Sequence, residues 1–201
     1  MQERARKTRD KILNVAVRMF AECGLHGTTV DAIAEEAGVN KQRIYAYFES
    51  KSGLFESSLI HVLGDMKLIS GKVLAEANEK PERLTEILLL EYMSMHKHNP
   101  YFWRMLAWAN LEEETPLPHL PGINHEHYGE LAAIFARAQE QAAVPADMSF
   151  EVYIFLLMSV SFFYNSNRKT LSQTLSKELF TPAGQKLLIA QCLGLFQPAG
   201  K

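Results

Sequence analysis

Cysteine is almost missing from this chain. Cys23 and Cys192 stand near opposite ends of its 201 residues. No disulfide framework is available, a reducing cytoplasm is the expected setting, and both thiols are expected to be buried or half-buried and structural. Long hydrophobic runs are missing too. The most apolar stretch, Val152–Tyr164, holds thirteen residues and includes Ser159 and Ser161, too short to span a bilayer. The basic N-terminus is polar, unlike a signal peptide, so no membrane partner is expected. Catalytic motifs are lacking as well: there is no glycine-rich phosphate loop, no Gly-x-Ser-x-Gly and no His-Glu-x-x-His. Nucleotide hydrolysis, serine-nucleophile chemistry and zinc proteolysis therefore find no footing, and no cofactor is expected. Alternating strand patterns, internal repeats and low-complexity segments are likewise absent, which leaves an all-α chain.

What is present is an ordinary globular composition, 47% apolar and 22% charged, with length enough for one large core or two small ones. The net charge of −2 hides an asymmetry. Residues 1–51 carry nine Lys and Arg against seven Asp and Glu, while residues 52–201 carry twelve against sixteen. The first eleven residues alone place Arg4, Arg6, Lys7, Arg9 and Lys11 against Glu3 and Asp10. A small basic head on an acidic body suits a partner that is a polyanion.

The stretch 24–51 organises the head. Helix one, about 4–23, has an apolar face of Ile12, Leu13, Ala16, Val17 and Phe20, and Gly24 ends it. A second helix opens at Thr28-Thr29, with Asp31 three residues after Thr28 in capping-box register. It carries Val30, Ile33, Ala34 and Ala37 on one stripe and stops at Gly38. Val39 plugs the turn, and Asn40 caps a third helix that buries Ile44 and Phe48. This is a helix-turn-helix, whose second helix is shaped for the major groove of double-stranded DNA. With Ile44 and Phe48 inward, a step of about 100° per residue sets Gln42 and Ala46 opposite, Arg43 and Tyr45 on the flanks, and Lys41 beside the capping Asn40. Gln matches the adenine edge, Arg the guanine edge and Ala the thymine methyl.

In order, Gly24, Thr28, Thr29, Val30, Ile33, Ala34, Ala37, Gly38, Val39, Ile44, Tyr45, Tyr47, Phe48, Ser50 and Lys51 closely resemble the pattern of the TetR family of bacterial transcriptional regulators. The resemblance spans residues 5–60 or so. It implies a DNA-binding head at 1–51 and a helical body at 52–201 that dimerises and holds a small-molecule effector. The function it implies is repression at a palindromic operator, relieved by that effector. It also implies phosphate contacts from Thr29, Tyr45, Tyr47 and Lys51. Gly53 departs from the pattern, where the family usually has Glu or another helix former; glycine there weakens the next helix start by about 1 kcal/mol.

Beyond the head, a long helix is expected from about 52 into the mid-70s, despite Gly64 and Gly71, as the one mechanical link between head and body. Further helices are expected at about 82–97, 101–108, 126–142, 149–166 and 183–196, with a surface loop over 112–125. The 149–166 segment is apolar nearly all round and must be covered on every side. Phe163 and Leu193, on this helix and the last one, are the expected dimer contacts, since an isologous patch suits a two-fold operator.

The body is rich in bulky adaptable side chains. An effector cavity is expected between the long helix and the body, walled by Met66, Tyr92, Met95, Trp103, Trp108, Phe135, Phe155, Met158 and Phe162. His96, Arg104 or Asn165 would supply polar contacts for a neutral or anionic aromatic compound. The rival reading is an enzyme or metal-binding bundle using the central histidines His96, His98, His119, His125 and His127. Their spacing argues against it: His96 and His98 point about 200° apart on a helix, and no i, i+4 pair exists.

Overall fold

The computed structural model describes residues 2–65, 70–111 and 126–197. Among them every regular element is helical: α1 (Gln2–Gly27), α2 (Val30–Ala37), α3 (Lys41–Phe48), α4 (Lys51–Asp65), α5 (Gly71–Glu79), α6 (Leu84–His98), α7 (Pro100–Leu111), α8 (Glu126–Glu140), α9 (Phe150–Ser166), α10 (Arg168–Thr174) and α11 (Pro182–Leu195). Short 3₁₀ turns precede α6 and α11. The expected all-α class holds. No helix among the described residues is long and apolar enough to cross a membrane.

The chain forms two compact units, one holding α1–α4 and α7, the other α5, α6 and α8–α11. Two expectations are corrected here. The helix that opens at residue 51 is described as far as Asp65 and does not run unbroken into the mid-70s, because Ser70 is not helical. Ser70, in extended backbone, starts a separate helix by accepting the Val73 N–H on its hydroxyl, a capping bond that a continuous helix would forgo. Nor is that segment the one link: the chain passes between the units three times, because the aromatic helix α7 packs against α1.

In the first unit the apolar stripe of α1 meets α4. Ile12, Leu13, Ala16 and Phe20 are completely buried, with Leu54, Phe55 and Leu59 across from them. The Phe20 and Phe55 rings meet edge-on at 5.1 Å, a favoured quadrupole arrangement. From α7, Phe102, Trp103 and Met105 are also buried. Removing one such aromatic costs about 3–5 kcal/mol.

The second unit is organised by α6 against α9. Leu88, Leu89 and Tyr92 bury on one helix, Tyr153, Ile154 and Leu157 on the other, and the Thr85 and Tyr153 hydroxyls share a buried hydrogen bond of 2.9 Å. Gln139 closes the turn from α8 into α9 by donating to the Pro145 and Met148 carbonyl oxygens at 2.8 and 2.9 Å. Tyr164 stacks on Phe180 with centroids 5.2 Å apart. Within the unit α9 is covered on one stripe, Tyr153, Ile154, Leu157, Ser161 and Tyr164. A second stripe, Val152, Phe155, Leu156 and Phe163, is exposed.

Candidate nucleic-acid interface

The geometry of the head begins with a kink. Gly24 takes φ 71° and ψ −179°, a conformation almost confined to glycine, and breaks the helical path of α1 where the sequence placed its end. The chain then turns through Thr28, which is buried and donates its hydroxyl to the Gly24 carbonyl oxygen at 2.8 Å. Thr29 is therefore the residue that caps α2, its hydroxyl accepting the Ala32 N–H at 3.2 Å. The capping-box role expected of Asp31 is not taken up. Asp31 instead accepts an ion pair from Lys41 at 2.8 Å.

Gly38 closes α2 in the left-handed region, and Val39 donates its N–H to the Ala34 carbonyl oxygen at 2.9 Å. Asn40 caps α3, its side-chain oxygen accepting the Arg43 N–H at 2.8 Å. That cap engages the Asn40 side-chain oxygen and leaves its amide NH2 group, on an exposed residue, to donate elsewhere. On α3 only Ile44 and Phe48 are buried. Lys41, Gln42, Arg43, Tyr45 and Ala46 are exposed, and Tyr47 is half-buried. The helix thus packs by one thin stripe and presents a broad polar row outward. Its hydrogen bond to Asp31 holds Lys41 protonated above the ordinary lysine range.

Lys51 stands at the first turn of α4 and donates to the Thr28 carbonyl oxygen at 3.2 Å, which ties its ammonium to the entry of α2. Tyr47 reaches back to α1, its hydroxyl donating to the Ala5 carbonyl oxygen at 3.4 Å. Arg9 of α1 lies over the Phe48 ring, 5.2 Å from its centroid. A cleft of about 330 Å³ opens between these helices, lined by Arg4, Ala5, Thr8, Arg43 and Tyr47. The charge of Arg4 and Arg9 is plain in the sequence, but their place beside α3 depends on how α1 crosses α3, which no local pattern encodes.

The residues expected to wall an effector cavity belong to both units. Trp103, Arg104 and Trp108 belong to the first unit. Arg104 donates to the carbonyl oxygens of Ala21 and Glu22 at 2.7 and 3.3 Å, so its guanidinium is an α1–α7 brace. Trp108 lies against Gly24. In the second unit, Tyr92, Met95, His96 and Phe135 are buried, and Phe135 packs its ring on Phe150 and Tyr153. Met158 and Phe162 are half-buried, and Phe155 is 68% exposed, on the outside of its helix. Met66 lies outside the described residues. The Tyr92 hydroxyl is buried without a hydrogen-bond partner among the described residues. One helical turn on, the His96 ring donates its Nδ1–H to the Tyr92 carbonyl oxygen at 2.8 Å and sits 5.8 Å from the Phe162 ring. Burial pushes His96 down to about 4, so it is neutral near pH 7. Asn165 donates to the Ser161 carbonyl oxygen at 2.8 Å.

An apolar hollow of about 410 Å³ does exist in this unit, elsewhere. It is lined by Val160, Phe163, Tyr164, Leu175, Phe180 and Cys192 among others, none of them an expected wall residue. Burial raises the Cys192 thiol, in keeping with a structural role. Cys23, expected to be buried or half-buried, is exposed. No group of three His, Cys, Asp or Glu converges among the described residues. His98 bonds back to the Ser94 carbonyl oxygen at 2.7 Å. His119 and His125 lie outside the described residues, as does the side chain of His127.

Comparison with known proteins agrees with this geometry. Residues 12–57 match the model for bacterial regulatory proteins of the tetR family, and residues 81–193 match a tetracyclin repressor-like C-terminal domain. The chain is 30% identical over 180 residues to the HTH-type transcriptional repressor NicS of Pseudomonas putida, across 88% of this chain and 84% of that one. It is 32% identical over 155 residues to the HTH-type transcriptional repressor SCO4008 of Streptomyces coelicolor, across 77% and 76%. In fold it is similar to the crystal structure of the transcriptional regulator SCO4942 from Streptomyces coelicolor, with a TM-score of 0.69 at 21% identity over 94% of this chain and 98% of that one.

Proposed function

Because the chain belongs to the TetR family, and so is a DNA-binding transcriptional regulator rather than an enzyme, we propose that it is a homodimeric cytoplasmic repressor released from a palindromic operator by a small molecule. The observation that carries this reading is the outward row of α3: Gln42 and Ala46 stand clear of the core, flanked by Arg43 and Tyr45, while Ile44 and Phe48 anchor the helix. Gln42 reads an adenine edge and Ala46 a thymine methyl. Thr29, Tyr45, Lys41 and Lys51 meet phosphates, which set register without carrying sequence information, and Tyr47 braces α1 through the Ala5 carbonyl oxygen. Asn40 serves by fixing the start of the helix.

One recognition helix buries too little for strong specificity, and dimers of this motif read two half-sites about one helical turn apart. The bare stripe of α9, with Leu187 and Leu195 exposed on α11, supports a two-fold contact through Phe163 and Leu193. The names of NicS and SCO4008 as repressors support the sign of regulation. For the effector, the buried Tyr92 hydroxyl, unpartnered among the described residues, favours an uncharged compound with a hydrogen-bonding oxygen. The anionic option weakens, since Arg104 is committed to carbonyls of α1. Release then requires tighter effector binding to the form that does not fit DNA.

Selection of bound duplexes from a random pool tests the reading. An enriched palindrome with two equal half-sites is the expected result; a pool that stays random after several rounds would overturn it.

A further inference from the structure

The first turns of α1 hold five cations, none of them within the helix-turn-helix itself. The structure brings two of these turns against the recognition helix. The cleft they share is lined by Arg4, Ala5, Thr8, Arg43 and Tyr47, without an acidic residue. Arg4 and Thr8 are one helical turn apart on the same face of α1, and Ala5 is small enough to let Tyr47 reach its carbonyl oxygen.

The hydrogen-bond donors of the cleft can be counted. Thr8 donates its hydroxyl to the Arg4 carbonyl oxygen at 2.9 Å, and Tyr47 donates to Ala5. The guanidiniums of Arg4 and Arg43 remain. Neither has a hydrogen-bond or ion-pair partner among the described residues, whereas Lys7 pairs with Glu3, Arg18 with Glu36 and Lys41 with Asp31. Two arginines that line one cleft place like charges around it, and an anion held between their guanidiniums gains two charge-assisted contacts. Guanidinium forks fit tetrahedral phosphate oxygens in pairs.

We propose that Arg4 and Arg43 together seat one phosphate of the DNA backbone, making the opening turns of α1 part of the DNA interface. This rests on the DNA-binding reading above. It moves Arg43 from guanine recognition to positioning, and leaves base reading on α3 to Gln42 and Ala46. Arg9, held over Phe48, keeps the α1 turn in place against α3.

The test titrates a selected operator duplex with wild type, Arg4→Gln, Arg43→Gln, the double variant and Arg6→Gln across a salt series. Arg6→Gln removes the same charge from an exposed position of α1 outside the cleft. Arg4→Gln should weaken binding roughly tenfold on every sequence and lower the salt slope by about 0.9, the value of one phosphate. Arg43→Gln should do the same without relaxing base preference, and the double variant should lose less than the product of the singles. Arg6→Gln should have a clearly smaller effect. Equal effects of Arg4→Gln and Arg6→Gln would overturn the seat, as would relaxed base preference in Arg43→Gln. A wild-type chain that binds no duplex would overturn the DNA reading itself, and the seat with it.

Discussion

Trp108 lies so close over Gly24 that its Cδ2 and Cε3 atoms would be 2.8 Å from a β-carbon at position 24. A positive φ and a ring in contact thus demand glycine at one position for two separate reasons. Gly24→Ala should destabilise the chain by about 2–5 kcal/mol, combining backbone strain with overpacking. Shrinking the ring in a Gly24→Ala, Trp108→Leu double variant should recover the overpacking part only. Urea unfolding followed by tryptophan emission measures both, and a wild-type midpoint for Gly24→Ala would refute the packing described.

On DNA, Gln42→Ala should relax preference at one position per half-site by about 1–3 kcal/mol. Lys51→Ala should weaken all duplexes alike and flatten the salt dependence. Competition binding against single-base operator variants separates the two behaviours. A Lys51→Ala chain with unaltered affinity and salt slope would remove that lysine from the interface.

Dimerisation has its own test. Phe163 is 57% and Leu195 77% exposed on adjacent helices of one unit. Phe163→Glu, Leu195→Glu or Leu193→Glu should give a monomer whose head still folds, since α1–α4 and α7 form a separate unit. Leu193 is half-buried in its own chain, so Phe163 and Leu195 are the cleaner probes. Sedimentation of wild type as a stable monomer at micromolar concentration would defeat the idea.

The helix-turn-helix was legible because its signals are local. Thr29, Gly38 and Asn40 act within three or four residues of themselves, and the inward pair Ile44 and Phe48 follows from helical spacing alone. The body was legible as helices but not as an arrangement. Nothing in the sequence of α7 says that Arg104 and Trp108 meet α1, because an aromatic stripe fits a helix contact and a cavity wall alike. Ser70 shows a second kind of limit. Its cap competes with helix continuation by only about 1 kcal/mol, so the periodic pattern across it reads as one helix.

Acid should expose His96. Its pKa falls from about 6.5 unfolded to about 4 folded, chiefly through burial. The unfolded chain therefore binds the extra proton first, and the stability this neutral ring contributes is complete above pH 6.5 and lost as pH drops toward 4. The loss is on the order of 1–3 kcal/mol. A His96→Asn chain, less stable at neutral pH, should show a shallower decline over that window. Parallel stability–pH curves for the two proteins would show that His96 titrates as it does in the unfolded chain.

Gly53 gives two arguments of opposite sign. Helix propensity says that Gly53→Ala, in the first turn of α4, should stabilise by about 1 kcal/mol. The structure says otherwise. Ser50 donates its N–H to the Phe48 carbonyl oxygen at 2.6 Å across Glu49, which sits at φ 62° and ψ −43°. That is a strained three-residue turn for a non-glycine residue. It aims the Phe48 carbonyl oxygen at position 53, where a β-carbon would overlap it, and no side-chain rotation relieves a clash between a β-carbon and backbone. The Gly53 N–H also donates to the Ser50 hydroxyl at 2.9 Å, a cap that a shift of α4 would break. Gly53→Ala should therefore destabilise by about 1–3 kcal/mol, lowering the melting temperature by roughly 2–4 °C per kcal/mol for a chain of this size. Glu49→Gly, which removes the strain at positive φ, should raise it. DNA affinity should fall with Gly53→Ala as well, since the turn joins the end of the recognition helix to Lys51. A higher melting temperature for Gly53→Ala would mean that propensity governs this position and that the turn before it is relaxed.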